Sequence, residues 1–559
     1  MRNFALFLFA SISLLFGQSA TPIAPAETVK KASLEGVVTN GVTQEPLRRA
    51  NVVLYRTGKN GTNMGPDNVA YSAVTDTAGK FRIENIEPGE YVLNYQKVNF
   101  IESQNTIGNS TRQLKLGAGE SVTSLHYALL PQAVVTGRVV DDEGEPVQGV
   151  SVMLVRLRYL HGSQKPMPDV NALTNDLGEY RIVNVQPGRY YIQATIQRVV
   201  AGGAQFPAPT PGAGRSAFVS TFCPSAAEME QASRIELRAG QQLSGQDIAL
   251  RRDKVVSVSG KVLDTDGSPA KRTFVMFAVG DSFMNDTSMG AASDDKGNFT
   301  AQNVRPGKYT LIANGMDGQN RKFIQSEINV GEVDLANVTL QMESGVEAKG
   351  SLVLEGSEKQ DFDFSGFFVN LSSVKSTFFG GAGAQVKADG AFTLTSIMPG
   401  RYLLNVYGAS NGYVKSIQAG GEEILGKEVE ASSLAQGLRV AVRLDSASVK
   451  GTVEIPEDRR ASLSSAVALL VPVDTSERNS TQIKWRSIYQ NLGFELKNVR
   501  PGEYLVFAFE EFNYFTWDDV GLFAAIENKG TKVSLSANES KTLTLKLLPW
   551  PQQFSDNPE

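Results

Sequence analysis

The stretch DTAGKFRIENIEPGEYVLNY, from Asp76 to Tyr95, decides the fold, because a recognisable copy of it occurs five times in the 559-residue chain. The core of each copy is Pro-Gly-x-Tyr. The five cores are Pro88-Gly89-Glu90-Tyr91, Pro187-Gly188-Arg189-Tyr190, Pro306-Gly307-Lys308-Tyr309, Pro399-Gly400-Arg401-Tyr402 and Pro501-Gly502-Glu503-Tyr504. An Ile or Val lies two residues before each proline. The residue before that is Asn, except in the fourth copy, which has Ser396.

The residues around the Pro-Gly alternate between apolar and polar. Phe81 and Ile83 alternate with charged residues before the first Pro-Gly, and Tyr91, Leu93 and Tyr95 are spaced by two after it. This period predicts half-buried β-strands. Proline presets φ for the second position of a tight turn and glycine accepts the positive φ that follows, so each Pro-Gly is predicted to form a type II turn.

Two further features recur in every copy. A glycine in a short β-prone run lies 47 to 53 residues before the Pro-Gly glycine; these are Gly36, Gly137, Gly260, Gly350 and Gly451. A second tight turn, seen as TDTAGKF, TNDLGEY, SDDKGNF, KADGAF and YQNLGF, has the Asp or Asn and Gly of a hairpin. In the fifth copy Gly493 is eight residues before the proline instead of nine, which predicts a shifted bulge or hairpin there.

Anchor points at a regular separation define five homologous modules. Their first glycines are 90 to 123 residues apart, which is the size of one small sandwich domain. The predicted division is a signal peptide at 1–26, modules at 27–131, 132–252, 253–345, 346–446 and 447–549, and a tail at 550–559. Each module is predicted to be a seven-stranded antiparallel β-sandwich, so the fold class is all-β. The short linkers predict a semi-rigid rod.

Two segments depart from the repeat. The Gly/Pro-rich stretch 201–216 of module two is predicted to be a mobile loop, because its composition cannot form a core. In module five, DDVGLFAAIENKG from Asp518 predicts one short helix across an open end of the module, ending at Gly530. The apolar residues at helical spacing in it are Val520, Phe523, Ala524 and Ile526.

The N-terminus has the pattern of a secretory signal peptide. A basic start at Arg2 is followed by an apolar run from Phe4 to Phe16 and by small residues at which cleavage fits best after Ala26, with Ser19 and Ala20 as alternatives. The alternative is a buried N-terminal strand. The run is shorter than the ~20 apolar residues of a membrane-spanning helix. The remaining chain is therefore expected to be secreted or periplasmic, without a membrane-spanning segment.

Composition and charge exclude some functions. The net charge of −5 disfavours a nucleic acid partner, which needs clustered Lys and Arg. Cys223 is the only cysteine, so an exported chain has no intramolecular disulfide. Its thiol either pairs between chains, reacts, or packs as a small apolar side chain.

The glycine strand, the second turn and the Pro-Gly-x-Tyr together make the chain resemble the carboxypeptidase regulatory-like domain family, over nearly its whole length after residue 26. This resemblance implies transthyretin-like (prealbumin-like) sandwiches, related to Cna-B surface repeats and to the carbohydrate-binding-like fold. In metallocarboxypeptidases the domain is an accessory beside a zinc peptidase, and no peptidase domain is recognisable here.

Residues for catalysis or metal binding are scarce. The two histidines, His126 and His161, are too few for a zinc site or a Ser-His-Asp triad within one module, although Cys223 and His161 share module two. Carboxylate pairs in the turns beginning at Asp141 and Asp264 either bind calcium or only form the turns. The resemblance to Cna-B domains invites comparison of Lys261 with the lysines that form Lys-Asn isopeptide bonds in those domains, but no matching Asn is evident on the last strand of its module. No catalytic residue, cofactor or metal ligand is predicted.

One aromatic cluster is a candidate ligand site. It comprises Phe509, Phe512, Tyr514, Phe515 and Trp517, and it either presents a platform on which sugars stack, with Tyr514 and Trp517 as ligand-binding residues, or packs under the predicted helix.

The sequence as a whole predicts an exported, non-catalytic binding or structural protein, with a protein or polysaccharide partner at the cell surface or in the periplasm. The alternatives are a carbohydrate-binding protein and a hydrolase with an unrecognised site.

Overall fold

The structure is a computed structural model. It describes residues 30–551 without 57–68, 103–112, 161–162, 197–215, 280–289, 318–319, 357–361, 375–380, 409–411, 458–465, 480, 489–492 and 511–519. The predicted signal peptide and nearly all of the predicted loop 201–216 and tail therefore lie outside the described residues.

Module one consists of two sheets. Its strands are β1 (Ala32–Asn40), β2 (Asn51–Arg56), β3 (Val69–Val74), β4 (Lys80–Ile86), β5 (Gly89–Gln96), β6 (Phe100–Glu102), β7 (Gln113–Leu116) and β8 (Ser121–Pro131). The sheets have the strand orders β4-β1-β8-β6 and β3-β2-β5-β7. Strand β1 is antiparallel to β4 but parallel to β8. The predicted β-sandwich is confirmed, with one parallel pair that the sequence pattern did not predict.

Module two repeats this arrangement. Its strands are β9 (Ala133–Val140), β10 (Val150–Leu160), β11 (Ser163–Leu173), β12 (Glu179–Val185), β13 (Gly188–Ile196), β14 (Ser216–Phe218), β15 (Thr221–Phe222), β16 (Ile235–Leu237), β17 (Gln242–Leu243), β18 (Ile248–Ala249) and β19 (Arg252–Lys254), with a 3-10 turn at Met229–Gln231. Strand β9 pairs with β12, β17 and β18, and β11-β10-β13-β15 forms the second sheet, with β16 also on β13. A two-stranded ribbon of β14 and β19 is additional.

Modules three and four follow the same plan. Module three has β20 (Val256–Leu263), β21 (Phe274–Ala278), β22 (Gly290–Ala292), β23 (Asn298–Val304), β24 (Gly307–Asp317), β25 (Asn320–Val330), β26 (Leu335–Gln341) and β27 (Glu343–Ser344). Module four has β28 (Val346–Leu354), β29 (Phe368–Ser373), β30 (Ala382–Gln385), β31 (Ala391–Ile397), β32 (Arg401–Tyr407), β33 (Tyr413–Ala419), β34 (Glu422–Glu423), β35 (Val429–Glu430), α1 (Ala431–Leu434) and β36 (Leu438–Arg443). The sequence pattern did not predict α1. The sheets are β23-β20-β26 and β22-β21-β24-β25-β27, then β31-β28-β36-β33-β34 and β30-β29-β32-β35.

In module five the two sheets are joined. Its elements are β37 (Ala447–Glu454), β38 (Ala466–Pro472), a 3-10 turn (Thr475–Glu477), β39 (Lys484–Ile488), β40 (Phe494–Val499), β41 (Gly502–Phe509), α2 (Val520–Ile526), a 3-10 turn (Glu527–Lys529), β42 (Thr531–Leu535) and β43 (Ser540–Leu548). The strand order is β39-β38-β41-β43-β37-β40, with β42 also on β41. The join is a short parallel pairing between the ends of β41 and β43, at Ala508 and Leu547.

Each module has its own hydrophobic core. Within the described residues, the five largest clusters of buried side chains span 32–129, 133–250, 256–342, 348–442 and 447–545, and each draws on both halves of its sandwich. Burial of apolar area in these clusters is the main favourable term for folding, because the chain has no disulfide.

The Pro-Gly segment does not form the predicted type II turn. Strands β4 and β5 lie in opposite sheets, so the segment carries the chain from one sheet to the other. A type II turn needs φ near +80° at the glycine, whereas Gly188 and Gly400 have 151° and 145° and the other three are outside the left-handed region. The left-handed residue is instead the one three before the proline: Asn85, Asn184, Asn303, Ser396 and Asn498 have φ of 58 to 61°.

These left-handed residues explain the preference for Asn. Asparagine tolerates positive φ better than most residues. The pairing of β1 with β4 shifts register between Ala32 and Leu34, opposite Ile86 and Ile83, which is a β-bulge around Asn85. The bulge bends the strand immediately before it leaves its sheet.

The second turn has the predicted chemistry but a different role. The side chain of Asp76 accepts hydrogen bonds from the backbone amides of Ala78 and Lys80, at 2.9 and 2.8 Å, and Gly79 has φ of 70°. However, β3 and β4 belong to different sheets, so this turn is a second crossing and not a hairpin. The fifth copy of the turn lies largely outside the described residues.

The predicted helix of module five is confirmed, at a different place. Helix α2 buries Leu522, Phe523 and Ile526, while Ala524 is exposed. It covers the outer face of β38 and β41, where these three side chains and Phe507 form a second hydrophobic cluster of module five. The helix therefore adds a layer to a sheet face and does not close an open end.

Candidate functional site

The tyrosine of every Pro-Gly-x-Tyr is a buried structural residue. The five tyrosines are between 0 and 5% exposed. Each hydroxyl donates a hydrogen bond to the carbonyl oxygen four residues earlier, on Glu87, Gln186, Arg305, Met398 and Arg500, at 2.7, 2.9, 2.9, 2.9 and 2.6 Å. Burial raises the pKa of Tyr190 to about 12, so its hydroxyl keeps its proton and remains a donor.

The repeated glycine faces an aromatic ring in every module. The ladder pairs are Gly36 with Phe81, Gly137 with Tyr180, Gly260 with Phe299, Gly350 with Phe392 and Gly451 with Phe494. A Cβ at Gly36, Gly137, Gly260 or Gly451 would lie 1.8 to 2.4 Å from a carbonyl oxygen of the segment that pairs in parallel with its strand, and at Gly350 it would lie 2.3 Å from the ring of Phe392. Only glycine fits at such close approaches.

The features shared by all five copies are therefore used for folding. A binding or catalytic site has to come from positions at which the copies differ.

The sequence-predicted ligand residues Tyr514 and Trp517 lie outside the described residues, as do Phe512 and Phe515. The fifth member of that cluster, Phe509, is fully buried and packs edge-on against Trp550, with ring centroids 5.1 Å apart.

The candidate titratable residues are placed for packing. His126 is half-buried and its Nε2 is 3.1 Å from the hydroxyl of Thr39, and desolvation lowers the pKa of its imidazole. His161 lies outside the described residues. Cys223 is buried, its sulfur is 3.5 Å from the carbonyl oxygen of Asp247, and desolvation raises the pKa of its thiol. A raised pKa disfavours the reactive thiolate.

The carboxylates considered for calcium hold their turns together. Asp141 accepts hydrogen bonds from the backbone amides of Glu143 and Glu145, both at 2.9 Å. Asp264 forms an ion pair with Lys322 at 2.8 Å, which lowers its pKa. In the part of the chain that the structure describes, no three His, Cys, Asp or Glu residues are grouped to hold a metal ion. Lys261 is exposed, which does not suit a buried isopeptide bond.

Module five differs from the others on the third strand of its sandwich. The inward-facing residues there are Tyr71 and Ala73 in module one, Val170 and Ala172 in module two, Ala291 in module three, and Ala382 and Ala384 in module four, all packed on their cores. The ladder of β38 and β39 places Lys484 and Arg486 at the equivalent positions, opposite Leu470 and Ala468. Sequence reasoning missed these two cations, although an alignment of KWRSI with the third strands of the other copies would have shown them.

A cleft of about 950 Å³ lies beside these two residues. Strands β39 and β40 are the two ends of the strand order in module five, and both line the cleft. Further walls come from Tyr407 of module four and from Lys115 of module one. Two aromatic residues are among those lining the cleft: Tyr407, which is 48% exposed, and Trp485, which also packs on the hydrophobic cluster of the outer face of β38 and β41.

The ammonium group of Lys484 is poorly solvated. Its Nζ donates to the carbonyl oxygen of Thr481 at 2.7 Å, and desolvation lowers the pKa of Lys484 to about 8. No carboxylate among the described residues forms an ion pair with it. A cation that is shielded from water without a negative partner is costly unless an anion arrives.

The fold and its cores define a class of protein made of tandem β-sandwiches. The family model of the carboxypeptidase regulatory-like domain matches residues 33–123 and 134–205, which lie in the first two modules, in agreement with the resemblance. No protein with a curated description matches the chain. Among the described residues no helix is long and apolar enough to cross a membrane.

Solved structures of pilins are similar over part of the chain. A streptococcal ancillary pilin is 12% identical, covers 56% of this chain and 99% of its own, with a TM-score of 0.18. BcpA, the major pilin subunit of Bacillus cereus, is 12% identical, with coverages of 56% and 100% and a TM-score of 0.16. GBS52, the minor pilin of Streptococcus agalactiae, is 12% identical, with coverages of 40% and 96% and a TM-score of 0.20. Scores this low carry no argument about this chain.

Proposed function

We propose that this chain is an exported, non-catalytic binding or structural protein made of five carboxypeptidase regulatory-like sandwiches, with the boundaries 27–131, 132–252, 253–345, 346–446 and 447–549. Its partner is a protein or a polysaccharide at the cell surface or in the periplasm.

The observation that carries this proposal is the use of the shared residues. The buried tyrosine and the left-handed Asn or Ser serve the sheet crossings, and the glycine allows its neighbouring strand to approach. If the modules were catalytic, each copy would be expected to carry the same reactive group. The residues that the five copies share are instead structural. Fold alone does not set function, so the partner must be recognised by residues that differ between copies.

Two measurements test the non-catalytic role. Purified protein is screened for turnover of peptide and ester substrates, and it is used to capture partners from the surface of the producing cell. We expect no turnover and a saturable partner. Turnover that survives rigorous purification and is abolished by one substitution would favour the hydrolase alternative instead.

Export is tested separately. A fusion of residues 1–26 to a reporter enzyme is expected to reach the periplasm or medium, because this segment has the basic start, apolar run and cleavage site of a signal peptide. A reporter that stays in the cytoplasm would contradict export.

The cleft of module five favours carbohydrate binding as a second candidate function, because polar groups and the rings of Trp485 and Tyr407 converge there. Ligand binding by Tyr514 and Trp517 remains a prediction. Binding to a glycan array separates the two sites: loss of binding with Trp517→Ala supports the aromatic cluster, and unchanged binding favours the cleft. A flat array would contradict carbohydrate binding at either site.

A further inference from the structure

We propose that the cleft of module five binds an acidic oligosaccharide, and that Lys484 and Arg486 are the residues that recognise its carboxylate groups. This inference rests on the binding role proposed above and names the ligand class for it.

Module five exchanges core residues for cations. The other four modules place apolar side chains at the inward-facing positions of the third strand, and this is the choice that stabilises a sandwich. Module five has a half-buried Lys484 and an exposed Arg486 there instead. Desolvation of an ammonium group opposes folding, so a purely structural role does not account for the lysine.

The cleft concentrates positive charge. Its walls carry five cationic side chains, Lys115, Lys450, Lys484, Arg486 and Lys497. Two of them pair with the two carboxylates of the cleft, Lys115 with Glu90 at 3.6 Å and Lys497 with Glu495 at 2.9 Å, so the excess is three positive charges. The whole chain has a net charge of −5, so the positive charge is concentrated locally. A concave surface lined by one sign of charge attracts ligands of the opposite sign.

The remaining groups of the cleft suit a sugar. Tyr407 brings an exposed ring to a cleft that polar groups also line, with Trp485 beside it, and an exposed ring offers a flat apolar face beside hydrogen-bonding groups. Glu90 and Glu495 already pair with Lys115 and Lys497, and each carboxylate has two oxygens, so it can also accept a hydrogen bond from a hydroxyl group. The volume of about 950 Å³ is within the ~300–1,000 Å³ of ligand sites. A ligand with hydroxyl groups, sugar-ring faces and carboxylates therefore matches the hydrogen-bonding, aromatic and cationic side chains of the cleft.

Edge protection is the competing explanation, because inward-pointing charges also prevent edge strands from pairing with other chains. It accounts for Lys484 and Arg486 on the edge strand β39. It does not account for Lys450, since β37 lies inside its sheet.

Titration calorimetry of the full chain tests the proposal. The probes are a galacturonate tetramer, a neutral galactose tetramer and a hexaglutamate peptide, each at low and high salt. We expect binding of the galacturonate tetramer alone, weakened by salt as surface electrostatics are screened. Lys484→Gln and Arg486→Gln should each weaken it about tenfold or more, because a charge-assisted hydrogen bond is lost.

The matched control is Lys532→Gln, at an exposed lysine on β42 of the same module, which should leave the affinity unchanged. Thermal melting confirms that each variant is folded, and the exposed Arg486 gives a second variant that is independent of the half-buried lysine.

Four results would overturn the inference. The first two are no binding of galacturonate and equal galacturonate affinity in wild type and both cleft variants. The third is that hexaglutamate binds as tightly as galacturonate, which would indicate an acidic peptide as the ligand. The fourth is self-association of Lys484→Gln with unchanged galacturonate affinity, which would indicate edge protection. If galacturonate fails while another partner binds, the proposed binding role stands. If no partner binds at all, both the proposed binding role and the acidic oligosaccharide ligand are contradicted.

Discussion

The hydroxyl of Tyr402 donates a hydrogen bond to the carbonyl oxygen of Met398, 2.9 Å away and four residues earlier in the chain. Tyr402 lies on β32, after the chain has crossed between sheets, and Met398 lies directly after β31, before the crossing. The bond therefore clamps the two ends of the crossing. The same bond in the other four copies makes it the common device of these sandwiches.

Tyr402→Phe should destabilise module four by about 1–3 kcal/mol, because the change leaves a partly buried carbonyl oxygen without its donor. Hydrogen exchange of the β32 amides in the full chain measures the loss. The control is Tyr407→Phe on the same strand, where the ring is 48% exposed and little change is expected. Equal protection in both variants would show that the clamp contributes nothing.

Gly260→Ala should destabilise module three by about 3 kcal/mol or more. The added Cβ would be 1.9 Å from the carbonyl oxygen of Val338, and a backbone atom cannot rotate away. Gly331→Ala in the same module is the control, because a methyl group added there would have no atom within 4 Å. Denaturant unfolding of both variants checks this, and a Gly260 variant as stable as the control would contradict the close approach.

Asn85→Val should be less stable than Asn85→Gly by about 1–2 kcal/mol, since the left-handed backbone is unfavourable for residues with a branched Cβ. Asn85 has φ of 58° and an exposed side chain, so the comparison isolates the backbone. Thermal unfolding of the two variants measures the difference. If valine is tolerated as well as glycine, the bulge is not strained as described.

The stability of module five should rise with pH between about 8 and 10.5. The pKa of Lys484 is lowered from 10.5 to about 8 in the folded chain, so in this window the unfolded state binds more protons. Below the window both states are protonated and the desolvation penalty is complete. Strand β38 carries no titratable residue, and Glu495 and Lys497 on β40 pair with each other at 2.9 Å.

Lys484→Gln should remove this component of the pH dependence. Hydrogen exchange of β38 and β39 amides, corrected for intrinsic exchange rates, gives the free energy of opening at each pH. An identical pH profile in wild type and Lys484→Gln would mean that Lys484 titrates normally.

Much of the fold follows from local patterns in the sequence. The period of two around the Pro-Gly predicted the strands, and the Asp76 turn has its predicted hydrogen bonds, because both depend on neighbours in sequence. The predicted type II turn was wrong because it rested on the turn preferences of Pro and Gly alone. Whether β4 and β5 share a sheet depends on which strands pair over long distances, and Asn85 takes the positive φ that had been assigned to Gly89.

The candidate site was less predictable. Lys484 and Arg486 are ordinary cations in sequence, and they become unusual only when β38 and β39 are paired and their positions are compared with Ala382 and Ala384. The walls of the cleft also come from Lys115 and Tyr407, which are hundreds of residues apart. No short sequence motif predicts that such distant segments line one cleft.

The central claim is that what the five copies share builds the fold and what module five alone has binds the ligand. The most direct test is the galacturonate affinity of Tyr504→Phe and Lys484→Gln, measured beside their melting temperatures. We predict that Tyr504→Phe melts earlier but binds normally, and that Lys484→Gln binds about tenfold more weakly or worse without melting earlier. The opposite pattern, or equal loss of both properties in both variants, would contradict the account.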